Sequence, residues 1–232
     1  TALNFTGYIL SKFLTARKGI LVTGVLGGLI SSTAISWFFS RQSKKNPHNS
    51  ANYAAAIILA SSIMFPRILI WLYIYSADLL NKAWLPVVTL GVIGIGLGLL
   101  VARYNQGKNI SEEIPGRNPL NLSEALKFAG VYVGILLLVG FAKDNFGDEG
   151  IYIVSGISGL TDVDAITISL ANITGESISI TTAFLGVIIA ALANSAVKYG
   201  FCLIFGSSEL RKFTSYGFLA ILILGAGVLL LL

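Results

Sequence analysis

Seven stretches of this chain are apolar for 18 residues or more: 19–40, 51–75, 83–101, 125–142, 151–170, 180–205 and 213–232. A helix needs about 20 such residues to cross a hydrocarbon core roughly 30 Å thick. None of the stretches alternates strictly, so they read as helices and not as barrel strands. Only 12% of the residues are charged and 55% are apolar, whereas soluble domains carry about 25% charged residues. The net charge of +5 lies mostly between the apolar runs, which points to juxtamembrane charge and excludes a nucleic-acid surface. One cysteine and one histidine rule out an internal disulfide and any Cys- or His-based metal cluster. The expected fold is therefore all-α, a polytopic integral membrane bundle of seven to eight helices. The eighth is 1–18, which looks like the tail of a helix. No signal peptide is recognisable there, and the start at Thr1 suggests that further sequence precedes it.

The chain also contains a repeat. Shifted by 131 residues, Gly19, Ile20, Gly28, Leu29, Ala34 and Ile35 fall on Gly150, Ile151, Gly159, Leu160, Ala165 and Ile166. The same offset carries Arg67 onto Lys198 and Lys12 onto Lys143. This self-similarity divides the chain into repeat one (1–104), a polar linker (105–120) and repeat two (121–232). If each run crosses once, four runs per copy make a parallel repeat. Lys and Arg then tie at seven per side, so the positive-inside rule gives no orientation.

Within the fifth run, Gly159-Leu160-Thr161-Asp162-Val163-Asp164 places two carboxylates at membrane depth, where each costs a few kcal/mol on the gentlest scales. The repeat aligns Ile30-Ser31-Ser32-Thr33 with this segment. Both follow glycines that lower helix propensity, so helix breaks are expected at Gly27–Thr33 and Ser158–Asp164. Unwound backbone is tolerated at that depth where it faces protein or water. In an unbroken helix Asp162 and Asp164 diverge by about 200°; in an extended segment they share a face and can converge on one ion. Oxygen ligands alone suit a hard cation. The candidate binding residues are thus Asp162, Asp164, Thr161, Ser31, Ser32, Thr33 and Asn194, with Asp162 and Asp164 as the metal ligands. Arg67 and Lys198 are candidate counter-charges.

Plainer readings stand beside these. Asp162, Thr161, Ser31 or Ser32 can cap half-helices, and Asp164 can neutralise Arg67 or Lys198. Those two cations can also snorkel to an interface. Asn194 and Ser195 suit interhelical hydrogen bonds. Pro66 is expected to kink the second run. No nucleophile–base constellation is present, so the chain reads as a non-enzyme that needs no cofactor.

Taken together, Gly27-Gly28-Leu29-Ile30-Ser31-Ser32-Thr33-Ala34, Asn118-Pro119, Ser158-Gly159-Leu160-Thr161-Asp162-Val163-Asp164-Ala165 and Asn194-Ser195-Ala196-Val197-Lys198 carry a resemblance. The chain resembles the uncharacterised membrane domain that commonly follows an MgtC/SapB-type membrane domain in bacterial and archaeal proteins. That resemblance implies a multi-pass protein of a prokaryotic plasma membrane, with an MgtC-like domain preceding or accompanying it. By analogy it suggests cation homeostasis. Glycine-rich helices favour a homodimer. Two functional expectations follow: a channel or transporter for a proton, Na⁺ or Mg²⁺ with its site between the repeats, or a non-transporting scaffold or regulatory subunit whose polar motifs are structural.

Overall fold

A computed structural model describes residues 16–104 and 122–230. The partial helix 1–18, apart from its last three residues, and the linker 105–120 lie outside the described residues. The described residues form eight α-helices: α1 (Ala16–Lys45), α2 (Ser50–Ser62), α3 (Met64–Tyr75), α4 (Ala77–Tyr104), α5 (Leu122–Thr161), α6 (Val163–Ile173), α7 (Ile180–Phe205) and α8 (Ser208–Leu230). A 3₁₀ turn, Pro47–Asn49, leads into α2. The protein is an all-α polytopic bundle. Five stretches are long and apolar enough to cross a membrane: Ile20–Lys45, Pro47–Tyr75, Ala77–Tyr104, Ile180–Phe205 and Ser208–Leu230.

Three element boundaries coincide at the offset of 131. The offset of 131 that carries Ser31 onto Asp162 also carries Ala16 onto Gly147, where α5 changes direction, and Ala77 onto Ser208, where α8 begins. Gly147 has φ +59°, ψ −141°, a backbone state open essentially to glycine alone. At the same offset α7 runs unbroken, whereas the matching segment is divided at Ile63 into α2 and α3. Pro66 sits in the first turn of α3 and lacks the N–H that a continuous helix requires.

Two of the apolar runs fold back on themselves. In α1, Ser31 is extended (φ −160°, ψ 94°) between helical neighbours. Before it, Gly24 lies over Ala56 and Gly28 over Ala60; a Cβ on either glycine would come within 2.7 and 2.6 Å of those residues. Both numbers rise together, so the first limb of α1 runs parallel to α2. Beyond Ser31, Phe39 stacks on Tyr53 at 5.2 Å. Only the four residues 46–49 join α1 to α2, so the second limb runs antiparallel to α2. A straight helix cannot do both. The reversal also brings Ile35 against Gly27, residues that a straight helix would hold about 12 Å apart.

The second copy repeats the device. Asp162 is extended (φ −151°, ψ 129°) between α5 and α6. Asp148 accepts a hydrogen bond from the Thr182 hydroxyl at 3.0 Å, and Gly159 lies against the Ala190 backbone. The end of α5 therefore runs parallel to α7. Gly186 touches Leu170 of α6 as well as Ser155 of α5, so α6 returns antiparallel. The turn below α6 closes through Gly175 (φ +86°), whose N–H bonds the Ile178 carbonyl at 3.0 Å. Runs 19–40 and 151–170, each expected as one continuous helix beyond its break, are thus each bent into a helical hairpin at an extended residue.

The described residues gather into two compact units. One draws on residues 16–64, 91–104 and 197–221, the other on 65–90, 122–196 and 222–230. The first holds the α1 hairpin and a core of Phe39, Tyr53, Ile57, Ile58, Cys202 and Phe218. All of α2 is buried, because its Ala- and Ser-rich sequence lets neighbouring backbones approach closely. The second unit holds the α5–α6 hairpin and buries Ile151, Ile166, Leu170, Phe184 and Ile188.

Candidate functional site

The break in the α5–α6 hairpin is built by polar groups meeting freed backbone. Asp162 caps α6: its Oδ1 accepts the Asp164 N–H at 2.8 Å. Asp164 occupies the first turn of α6, where a carboxylate is favoured by the helix dipole by about 0.3–1 kcal/mol. The last carbonyls of α5 lose their helical partners at the break. Asn194 of α7, buried, donates its amide to the Gly159 carbonyl at 2.8 Å. Thr161 donates its hydroxyl to the Ser158 carbonyl at 2.9 Å and is exposed.

Asp164 forms an ion pair with Arg67 of α3; the carboxylate side chain is 7% exposed and the guanidinium side chain 30%. Asp162 is half-buried and also acts on that guanidinium electrostatically. Two carboxylates and one guanidinium therefore share the tip of the hairpin. Only Asp162 is extended, while Asp164 already belongs to α6. Among the described residues no three His, Cys, Asp or Glu side chains gather as a metal cage.

The α1 hairpin makes the neutral counterpart. Ser31 caps its second limb, its Oγ accepting the Ala34 N–H at 3.2 Å. Ser32 is buried, and its carbonyl accepts the Ser36 hydroxyl at 2.8 Å. Thr33, the second residue of that limb, is half-buried. Lys198 of α7 is wholly buried, so it does not snorkel to an interface; its Nζ lies 3.7 Å from Met64 Sδ.

The structure thus brings Asp162, Asp164, Thr161, Asn194 and Arg67 to one hairpin. Ser31, Ser32 and Thr33 stand at the other. A sequence profile described as a domain of unknown function (DUF4010) matches residues 1–206. The chain belongs to the DUF4010 family. An "Uncharacterized protein" of Aquifex aeolicus (strain VF5) is 33% identical over 196 residues, covering 83% of this chain and 84% of the relative. No solved structure matches.

Four buried hydroxyls of this DUF4010 chain, those of Thr23, Ser61, Ser155 and Thr167, have no hydrogen-bond partner among the described residues, and the sequence does not mark them. A lone Thr or Ser in an apolar helix ordinarily bonds the carbonyl four residues back, as Ser169 does to Ala165 at 2.8 Å. Only the structure distinguishes the two kinds.

Proposed function

We propose that this chain is an integral membrane channel or transporter for a small cation, with its ion site at the tip of the α5–α6 hairpin. The observation that carries the reading is a carboxylate-bearing helix break at the end of a hairpin. The limb 148–161 is about 21 Å long and α6 about 16 Å, so a hairpin entering from one face brings Asp162 to roughly the middle of a 30 Å core. Discontinuous helices at that depth, at corresponding positions of two repeats, are how many secondary transporters build ion sites.

Chain topology supports the same reading. A hairpin enters and leaves on one side. With the run 1–18 counted as a crossing, as the sequence alone suggests, each copy then has an odd number of crossings: the run before the hairpin, the run after it, and the last run. An odd number turns the second copy over, giving the inverted repeat typical of transporters. Under this scheme one side collects Lys12, Arg17, Lys18, Arg41, Lys44, Lys45, Arg103, Lys108, Arg117, Lys127, Arg211 and Lys212. The other side has Lys82 and Lys143. The earlier tie becomes twelve against two, and the basic side is cytoplasmic by the positive-inside rule.

Flux into proteoliposomes tests the proposal. Na⁺, K⁺ or Mg²⁺ is expected to move, and Asp162→Asn to abolish movement while the protein stays folded. Absence of flux for every cation, with no cellular effect of Asp162→Asn plus Asp164→Asn, refutes it. One observation favours a scaffold instead: Asp164 is held in a buried ion pair with Arg67. That alternative expects the double variant to lose folding or oligomerisation and not flux.

A further inference from the structure

One end of the unit that holds the α1 hairpin is basic and aromatic at once. Among the described residues of that unit Glu209 is the only acidic side chain, whereas Arg41, Lys44, Lys45, Arg103, Arg211 and Lys212 are all exposed. Contacts hold these six at the same end. The Ser207 N–H donates to Ser43 Oγ at 2.9 Å, and the Ser50 and Ser207 hydroxyls meet at 2.7 Å, which joins the end of α1 and the start of α2 to the start of α8. The rings of Tyr104 and Phe213 lie 5.1 Å apart, which brings the end of α4 to the same place. None of the six forms an ion pair among the described residues.

Two of these cations converge on one turn. Lys44 Nζ donates to the Ile204 carbonyl at 3.4 Å, and Arg211 Nε donates to the Gly206 carbonyl at 3.1 Å. Both therefore sit at the C-terminal end of α7, whose freed carbonyls attract cations. Capping uses one donor of each, while an ammonium offers about three and a guanidinium about five. The remaining donors, held on one turn and paired to no carboxylate, suit an anion with several acceptor oxygens.

Depth selects the anion. The Arg41 guanidinium lies 4.9 Å over the exposed Trp37 ring. Tyr104 adjoins Arg103, Tyr216 stands one turn beyond Lys212, and both tyrosines are exposed. Exposed Trp and Tyr of membrane helices lie at the level of the lipid headgroups, so these cations meet lipid phosphates before soluble anions. We infer that Lys44 and Arg211 clamp the headgroup phosphate of an anionic phospholipid, and that the other four cations supply the attracting field. The topology proposed above turns this end toward the cytoplasmic leaflet, which is anionic; the lipid site does not depend on ion transport.

The test uses the full chain with Trp71→Phe and Trp84→Phe, which leaves Trp37 as the only tryptophan. The protein is reconstituted in phosphatidylcholine vesicles that contain brominated phosphatidylglycerol or brominated phosphatidylcholine, whose bromines quench a neighbouring indole. Brominated phosphatidylglycerol is expected to occupy the neighbourhood of Trp37 at least about tenfold more favourably, the effect of roughly one to two cations near a charged headgroup. Lys44→Gln with Arg211→Gln should cut that preference at least about fivefold. Lys45→Gln with Lys212→Gln removes as much charge from groups not anchored to α7 and should keep most of it. Elution as a single species on size exclusion shows that each variant is folded. Equal quenching by the two lipids overturns the inference, as do equal effects of the two double variants. Loss of the preference in millimolar inorganic phosphate at constant ionic strength also overturns it, because the ligand is then a soluble anion.

Discussion

Replacing Arg67 by Gln separates a pair that matters from one that is incidental. The Asp164 side chain is 7% exposed and Arg67 30%. Removing one partner of a buried pair leaves an uncompensated charge and costs about 3–5 kcal/mol. Two features set the value here. Part of the guanidinium is reachable from outside, so the vacated space can take up water, which lowers the cost. The α6 N-terminus returns up to about 1 kcal/mol to the stranded carboxylate, while Asp162 opposes it. The expected loss is near the lower bound, about 3 kcal/mol. Arg67→Gln with Asp164→Asn leaves a neutral pair and is expected to cost about 1 kcal/mol, the scale of an ordinary hydrogen bond. The double-mutant cycle should therefore give a coupling of at least about 1.5 kcal/mol. Reversible unfolding in mixed micelles measures it. A cost below about 0.5 kcal/mol for Arg67→Gln, as for an exposed pair, would refute the reasoning, as would strict additivity of the two substitutions.

Two further outcomes test the hairpins themselves. Gly28→Val puts its Cβ 2.6 Å from the Ala60 Cα, a backbone that cannot yield. It should cost more than about 3 kcal/mol, in the range of severe overpacking, whereas Gly96→Ala, with nothing within 4 Å of the new Cβ, should be neutral or gain up to about 1 kcal/mol; yield and monodispersity on size exclusion compare them. In a Cys202→Ala background, Ser177→Cys should react with a membrane-impermeant maleimide on intact cells and His48→Cys only after permeabilisation. Both positions are exposed in the structure, so equal labelling of the two would rule out the proposed topology.

Much of the fold lies open in the sequence, because bilayer thickness imposes run length and charge depletion directly. The two breaks are also legible: glycines followed by Ser31-Ser32-Thr33 or Thr161-Asp162-Val163-Asp164 lower helicity and supply their own caps. That these breaks are hairpin tips is not legible. A run of 22 apolar residues has the same length and composition whether it crosses or turns back. What decides is a relation between distant residues, Gly24 and Gly28 on Ala56 and Ala60, and that relation appears in no single run. The parallel repeat and the tie in basic residues both depend on one crossing per run, so the proposed hairpin topology replaces them together.

The choice of counter-charge shows the same limit at the site. Arg67 and Lys198 occupy equivalent repeat positions, so sequence alone treats them as equal candidates for Asp164. Their compact units separate them: Arg67 sits with the α5–α6 hairpin and Lys198 with the α1 hairpin. Each cation therefore packs in the unit that holds the other hairpin, and only the hairpin beside Arg67 carries carboxylates. Thr33 stands where the equivalent of Asp164 would be, in the unit of the buried Lys198. If the duplicated ancestor had two equivalent tips, this chain has kept charge at one and neutral oxygens at the other. That division makes a sharp demand on any ion site: substitutions at Asp162 or Asp164 should change ion movement, while Ser31→Ala, which removes only the cap hydroxyl of the neutral tip, should act through the stability of its hairpin, by about 1 kcal/mol.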